Sequence, residues 1–300
     1  MAPPPTPDVP TIACPASQSV PSIDGQAVAV SYAPMVSGGA APVAIACTPP
    51  SGARFAIGST PVSCTATDAL QRTASCAFSV TVQAPPRVSA TTFTAFGDSI
   101  TEGLAIMRFI PRFIPNPPGS YPAELQSLLS ARYTAQPIVV YDEGVGGETM
   151  PDGMNRLRPV LIAERPDALL LLEGVNDLNG GGAAAIPTVV NGLRAMVREG
   201  RSRVATVFVA TLLPQRPGGF RAYAPALIQP TNDQIRAMAS AEGAVLVDLY
   251  GAFIGDLGTL LGDDGLHPNA AGKLKIAEAF FDAIRTRLEI PSAASVTTSR

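Results

Sequence analysis

From Thr92 onward, short apolar runs alternate with amphipathic stretches, and this alternation limits the possible folds more than any other feature of the chain. Residues 93–96, 138–141, 168–172, 204–211 and 244–249 have the length and the apolar content of buried strands. Residues 122–131, 152–163, 186–199, 225–240 and 269–288 repeat their apolar side chains every three and four positions, the period of a helix. Strands that are apolar on both faces must be covered on both faces. The pattern therefore predicts an α/β domain over residues 92–290, a parallel sheet between two helical layers. In such sheets ligands bind beyond the carboxyl ends of the strands, so the polar residues that follow each strand are where function should be sought.

Residues 11–83 have a different composition, rich in Val, Thr, Ser and Ala. Apolar alternation in Val28-Ala29-Val30-Ser31-Tyr32 and Cys76-Ala77-Phe78-Ser79-Val80-Thr81-Val82, broken by Pro and Gly turns, predicts a small β-sandwich. All four cysteines, Cys14, Cys47, Cys64 and Cys76, fall in this segment. Their clustering predicts two disulfides in a small module and a secreted or periplasmic location, with three pairings open. Buried free thiols are the alternative. A zinc site would favour close Cys-x-x-Cys pairs, which are lacking, so neither a metal nor any other cofactor is expected.

A length of 300 residues with 46% hydrophobic content leaves room for two cores. Residues 1–10 are expected to be a flexible Pro-rich start, 84–91 a stiff linker and 291–300 a flexible tail. The opening Met1-Ala2-Pro3-Pro4-Pro5 lacks the basic and apolar regions of a signal peptide and reads as a mature protein behind an added methionine. A net charge of −3 with no run of Lys and Arg excludes the electrostatic footprint of a nucleic-acid binder. Every apolar stretch falls short of the roughly 20 residues that a membrane helix needs.

Four polar motifs follow strands or lie in loops able to reach their ends. Gly97-Asp98-Ser99 leaves the first strand and sets Ser99 at the amino end of the next segment, where backbone N–H groups favour developing negative charge. On its own this tripeptide would be an ordinary helix cap. It is not a Gly-x-Ser-x-Gly elbow, because Thr101 stands in the last position. Gly144-Val145-Gly146-Gly147-Glu148-Thr149 can expose N–H groups to a substrate, and Asn176 in Gly174-Val175-Asn176-Asp177 carries an amide able to donate to an oxyanion. The only histidine, His267, follows Asp264 by three residues, with Asp263 as a competing carboxylate and Pro268 expected to begin a helix. Imidazole is the side chain suited to accept a serine proton near neutrality, so Ser99, His267 and Asp264 form a candidate nucleophile, base and orienting acid.

Two resemblances follow from these residues. The run Cys47-Thr48-Pro49-Pro50-Ser51-Gly52, with Gly58-Ser59-Thr60, Val62-Ser63-Cys64-Thr65-Ala66-Thr67-Asp68 and Cys76-Ala77-Phe78-Ser79-Val80, resembles the hyalin-repeat (HYR) family. That implies an extracellular immunoglobulin-like sandwich that serves as a spacer or contacts carbohydrate or a cell surface. Ala69-Leu70-Gln71-Arg72 departs from the family's usual Gly-Asn turn. Gly97-Asp98-Ser99, Gly147, Gly174-Val175-Asn176-Asp177 and Asp264-Gly265-Leu266-His267 resemble the four blocks of the SGNH (GDSL) hydrolases, in order.

The second resemblance implies a flavodoxin-like three-layer sandwich and metal-free hydrolysis of carboxylic esters through an acyl-enzyme. Ser99 would be the nucleophile and His267 the base oriented by Asp264, with an oxyanion hole from the Ser99 and Gly147 N–H groups and the Asn176 side chain. Asp142 stands where family members often have Asn. The substrate would be a small or polymer-linked ester. The alternatives are a carbohydrate deacetylase and a noncatalytic adhesion protein. The apolar segment 104–115, beside Ser99, is a candidate acyl site, lid or packed loop.

Overall fold

The computed structural model describes residues 7–103 and 119–290, together with the backbone of Ile106–Met107 and Ile110–Pro111, which pair as a short antiparallel ribbon. The rest of the 104–115 segment lies outside the described residues, as do 1–6 and 291–300. Two compact units divide between Arg87 and Val88.

In the first unit a four-stranded sheet runs Gln18–Pro21, Thr73–Gln83, Gly58–Thr67, Ala44–Thr48, beside the pairs Thr11–Ala13 with Met35–Ser37 and Val28–Ala29 with Arg54–Phe55. Alternate residues turn inward, as the period of a strand requires, and bury Val62, Cys64, Phe78, Val80 and Val82 with Tyr32 and Phe55. Of the three open pairings, the structure has Cys14–Cys76 and Cys47–Cys64; the second joins directly opposed residues on neighbouring strands.

The hairpin tip that departs from the family's usual turn is organised by Asp68. Its buried carboxylate accepts the Leu70, Arg72 and Ala40 N–H groups and the Arg72 guanidinium, while Gln71 takes a φ of 61°. Arg72 in turn donates to the carbonyls of Pro7 and Asp8, so the chain start is held from Pro7 onward.

The second unit holds β1 (Thr92–Gly97), β2 (Val139–Gly144), β3 (Ala168–Leu172), β4 (Thr206–Ala210) and β5 (Val245–Val247) in one parallel sheet of order β2-β1-β3-β4-β5. This is the flavodoxin-like order, whose direction of winding reverses beside β1. Every residue of β3 is buried, as a central strand covered on both faces must be. The helices are α1 (Ser99–Glu102), α2 (Tyr121–Arg132), α3 (Met150–Glu164), α4 (Val175–Gly181), α5 (Ile186–Arg201), α6 (Pro225–Glu242), α7 (Leu249–Phe253), α8 (Leu257–Leu260) and α9 (Ala270–Leu288).

The α2 and α9 helices pack together, with Tyr121 stacked on Phe280 at 5.4 Å, while α5 packs against α3 and α6. Residues 88–91 belong to this unit rather than to a free linker. Val88 and Ala90 enter its core, Ser89 donates to Leu288, and Asp167 accepts from Thr91 and Thr92.

Burial opposes ionisation of Asp68, but the N–H groups of Ala40 and Arg72 and the Arg72 guanidinium hold its pKa down at about 2, against 3.8 for a free carboxyl. A depressed folded pKa contributes stability that is present above pH 4 and lost as the pH falls toward 2. Asp68→Ala strands three N–H donors and should destabilise the hairpin at pH 7. Hydrogen exchange of the 58–83 amides should show that difference shrinking between pH 4 and pH 2.

Candidate active site

The carboxyl ends of β1, β2 and β3 meet so closely that two glycines have no substitute. A Cβ on Gly97 would lie 2.1 Å from the Leu172 carbonyl, and one on Gly144 would lie 1.9 Å from the Glu102 nitrogen. Beyond Gly97 the chain turns directly into α1. The Asp98 side chain accepts the Ile100 N–H as its N-cap, and Ser99 occupies the first helical position. Lys273 of α9, buried, donates its Nζ to the Gly103 carbonyl at 2.8 Å, closing the other end of this one-turn helix.

Ser99 Oγ lies 2.8 Å from His267 Nε2, and His267 Nδ1 lies 2.6 Å from Asp264 Oδ2. All three residues are buried. The other Asp264 oxygen accepts the Leu266 and His267 N–H groups at 3.0 Å, so one carboxylate fixes both the ring and the backbone that carries it. Burial works against the charge on Asp264, yet the His267 ring and these two N–H groups keep its pKa below the usual carboxylate range. The competing Asp263 is exposed.

One expectation is corrected. Pro268 does not begin a helix: it bridges to Leu261, and α9 starts at Ala270 behind Asn269, whose side chain accepts the Gly272 N–H. Bonds from Gly262 N–H to the His267 carbonyl and from Asn269 N–H to the Leu260 carbonyl keep residues 268–269 extended. The imidazole thus stands off the positive end of the helix, an effect that fades within a turn.

Glu148 N–H closes a turn on the Val145 carbonyl, with Gly147 at its third position and a φ of 79°. A Cβ on Gly147 would meet nothing within 4 Å, so its conformation, not crowding, calls for glycine. The turn is joined to β1 by Val145 N–H on the Gly97 carbonyl. Asn176, in the first turn of α4, donates Nδ2 to the Glu148 carbonyl at 2.9 Å, which uses one of its two amide hydrogens. Asp177 caps α3 by accepting the Met150 N–H. Ser99, Gly147 and Asn176 therefore lie on segments that hydrogen bonds link to one another.

Sequence reasoning passed over the charges beneath this site. Arg156 of α3 reaches Glu148 through two contacts of 2.7 Å and the carboxylate and carbonyl of Glu143 through two of 2.9 Å, lying 3.9 Å over the Phe96 ring. The helix period counts Arg156 as merely a polar position. Burial pushes Asp98 up to about 6, with Glu148 and Asp177 adding to the shift. Burial, then the charges of Asp98 and Glu148, push Glu173 well above the carboxylate range. A charged residue directly after the five apolar positions of β3 was the signal for Glu173. Among the described residues, no group of three or more His, Cys, Asp or Glu side chains could hold a metal ion.

Comparisons with known proteins agree with this geometry. Residues 95–274 match the GDSL-like Lipase/Acylhydrolase family. The chain belongs to that family. Residues 6–82 match the HYR domain. Esterase TesA of Pseudomonas aeruginosa is 28% identical over 50% of this chain and 71% of its own length. An acetylxylan esterase of Geobacillus stearothermophilus is 27% identical over 56% of this chain and 84% of its own. The solved lipase/acylhydrolase of Enterococcus faecalis superposes with a TM-score of 0.55 at 24% identity, covering 67% of this chain and 98% of that one, a likeness of fold. This member of the GDSL-like family is a carboxylic ester hydrolase carrying a HYR domain.

Asp142 accepts the Ser120 hydroxyl and the Gly144 N–H, and burial pushes it up to about 6 from 3.8. A raised folded pKa means that the linked stability is present below pH 4 and lost as the pH rises through 6. Asp142→Asn keeps the polar contacts without a charge. Thermal melts should show the variant gaining roughly 2–4 °C over the parent at pH 8 and nothing at pH 4.

Proposed function

We propose that the enzyme hydrolyses esters by two-step acyl transfer, with Ser99 as nucleophile, His267 as general base and then acid, and Asp264 as the group that orients the ring. The observation that carries this reading is the unbroken line from Ser99 Oγ to His267 Nε2 and from His267 Nδ1 to Asp264 Oδ2, at 2.8 and 2.6 Å. Ser99 Oγ adds to the ester carbonyl as its proton passes to Nε2. The proton then goes to the departing alcohol, and water, deprotonated by the same nitrogen, releases the acyl group. The Ser99 and Gly147 N–H groups and the second Asn176 amide hydrogen receive the oxyanion. Asp264, held ionised by its three donors, offsets the imidazolium formed in each step.

Action at the cell exterior fits the chemistry of the chain. Two disulfides support an oxidising compartment. No helix among the described residues is long and apolar enough to cross a membrane.

A second reading, deacetylation of acetylated polysaccharide, is favoured by one observation. Phe220 and Tyr223 stand 56% and 70% exposed on a loop fastened to the Asp264 segment, with Arg221 N–H on the Asp264 carbonyl and Arg216 N–H on the Gly265 carbonyl. Exposed rings beside such a site suit the flat apolar face of a sugar better than an acyl chain, which needs a groove to bury it. The Geobacillus stearothermophilus relative, an acetylxylan esterase, points the same way.

Ser99→Ala should lower kcat on p-nitrophenyl acetate by about 10⁴-fold or more, and Asn176→Ala by about 10²–10³-fold. Retained turnover in pure Ser99→Ala would end the reading. For the second reading, Phe220→Ala with Tyr223→Ala should lower the ratio of kcat/KM on acetylated xylan to that on p-nitrophenyl acetate about tenfold, and an unchanged ratio would exclude it.

A further inference from the structure

The acyl-transfer reading gives no role to Arg156, yet this side chain bonds to Glu148, Glu143 and the end of β1 around the site. Its Nε and Nη2 hold the two Glu148 oxygens at 2.7 Å, and Nη2 also donates to the Glu143 carbonyl at 2.9 Å. Nη1 holds the Glu143 carboxylate, and Nη2 lies 3.5 Å from the Gly97 carbonyl. Its plane lies over the ring of Phe96, which is fully buried in β1. One rigid guanidinium therefore touches the strand that delivers Ser99, the end of β2, and the turn that carries Gly147.

Glu148 links these contacts to the chemistry. It is buried, and its main-chain carbonyl is the acceptor for Asn176 Nδ2. That bond orients the Asn176 amide group, and with it the direction of the second hydrogen. The Glu148 N–H also closes the turn on the Val145 carbonyl, and that turn contains the Gly146–Gly147 peptide whose N–H is the Gly147 donor. Pinning the Glu148 side chain thus aims two of the three oxyanion donors, and pinning it to β1 references them to Ser99.

We propose that Arg156 is a positioning residue for ester hydrolysis: through its fork on Glu148 it holds the Gly147 and Asn176 donors in register with the nucleophile. The inference rests on the acyl-transfer reading. Arginine is required because two carboxylate oxygens and a carbonyl must be engaged from one planar group. Lysine offers a single point charge and cannot reproduce the fork.

The test is a double-mutant cycle in the full chain on p-nitrophenyl acetate, at temperatures well below each variant's melting point. Arg156→Met should lower kcat about 10²-fold with KM changed by no more than about twofold, because the lost interaction acts in the transition state. Arg156→Lys should restore less than about a tenth of that loss. Asn176→Ala, which on its own should cost about 10²-fold, should cost less than about threefold in the Arg156→Met background, because a misaimed amide has little left to lose.

A merely structural arginine would lower the melting temperature and leave the two effects multiplicative. If Arg156→Met does not fold, Glu148→Gln opens the fork more gently. It should lower kcat about tenfold with the same non-additivity toward Asn176→Ala. A folded Arg156→Met or Glu148→Gln with kcat within about threefold of the parent, or strict additivity with Asn176→Ala, overturns the inference and leaves the acyl-transfer reading standing. Retained turnover in Ser99→Ala removes that reading, and the inference with it.

Discussion

Everything at the site depends on how closely three backbone segments approach one another. With no Cβ at Gly97 or Gly144, the end of β1 lies against the end of β3, and the end of β2 lies against α1. This contact lies at the point where the sheet order reverses, which opens a crevice at the strand ends. Ser99 therefore emerges into the crevice on a helix of one turn, capped by Asp98 and fastened at its far end by Lys273. A larger residue at Gly97 would spread the two strands and shift the hydroxyl by more than the tolerance of a 2.8 Å hydrogen bond.

The charges beneath the crevice are arranged unevenly. Asp98, Glu148, Glu173 and Asp177 influence one another there, and Arg156 is the cation that faces Glu148. An isolated buried carboxylate is expensive, and the structure answers in three ways. Asp98 and Glu173 hold their protons to higher pH, Asp177 accepts a helix N–H, and Glu148 is neutralised by the fork. Asp264 is the exception: despite burial it is kept ionised, by donors drawn entirely from the four-residue segment Asp264–His267.

What the sequence revealed, and what it did not, follows from the range of the interactions. The five strands and five long helices are legible because period and length are local properties; β3 is found at residues 168–172 as expected, and α5 begins at Ile186 as expected. The bond from Ser99 to His267 spans 168 positions and was legible only through motif order. The start of α9 was misjudged at Pro268 because Asn269 is the better cap and a bridge to Leu261 holds the chain extended. Arg156 left no local trace, since its partners Gly97, Glu143 and Glu148 come together only when β1, β2 and α3 pack.

The acidic surroundings bear directly on the acyl transfer we propose, because a developing oxyanion and a bank of carboxylates repel each other. Four full negative charges behind the donors would raise the barrier that the donors are there to lower. Protons retained by Glu173 and in part by Asp98, and the guanidinium on Glu148, reduce that opposing field while leaving the carboxyl groups available to cap helices and fix turns. Asp264, the carboxylate that the proposed mechanism needs charged, sits across the imidazole from Ser99, where its charge would favour an imidazolium. In this site burial sorts chemically similar groups into different states: those around Glu148 and Asn176 are neutralised by protons or by Arg156, and the one that holds the His267 ring is kept ionised by its own loop.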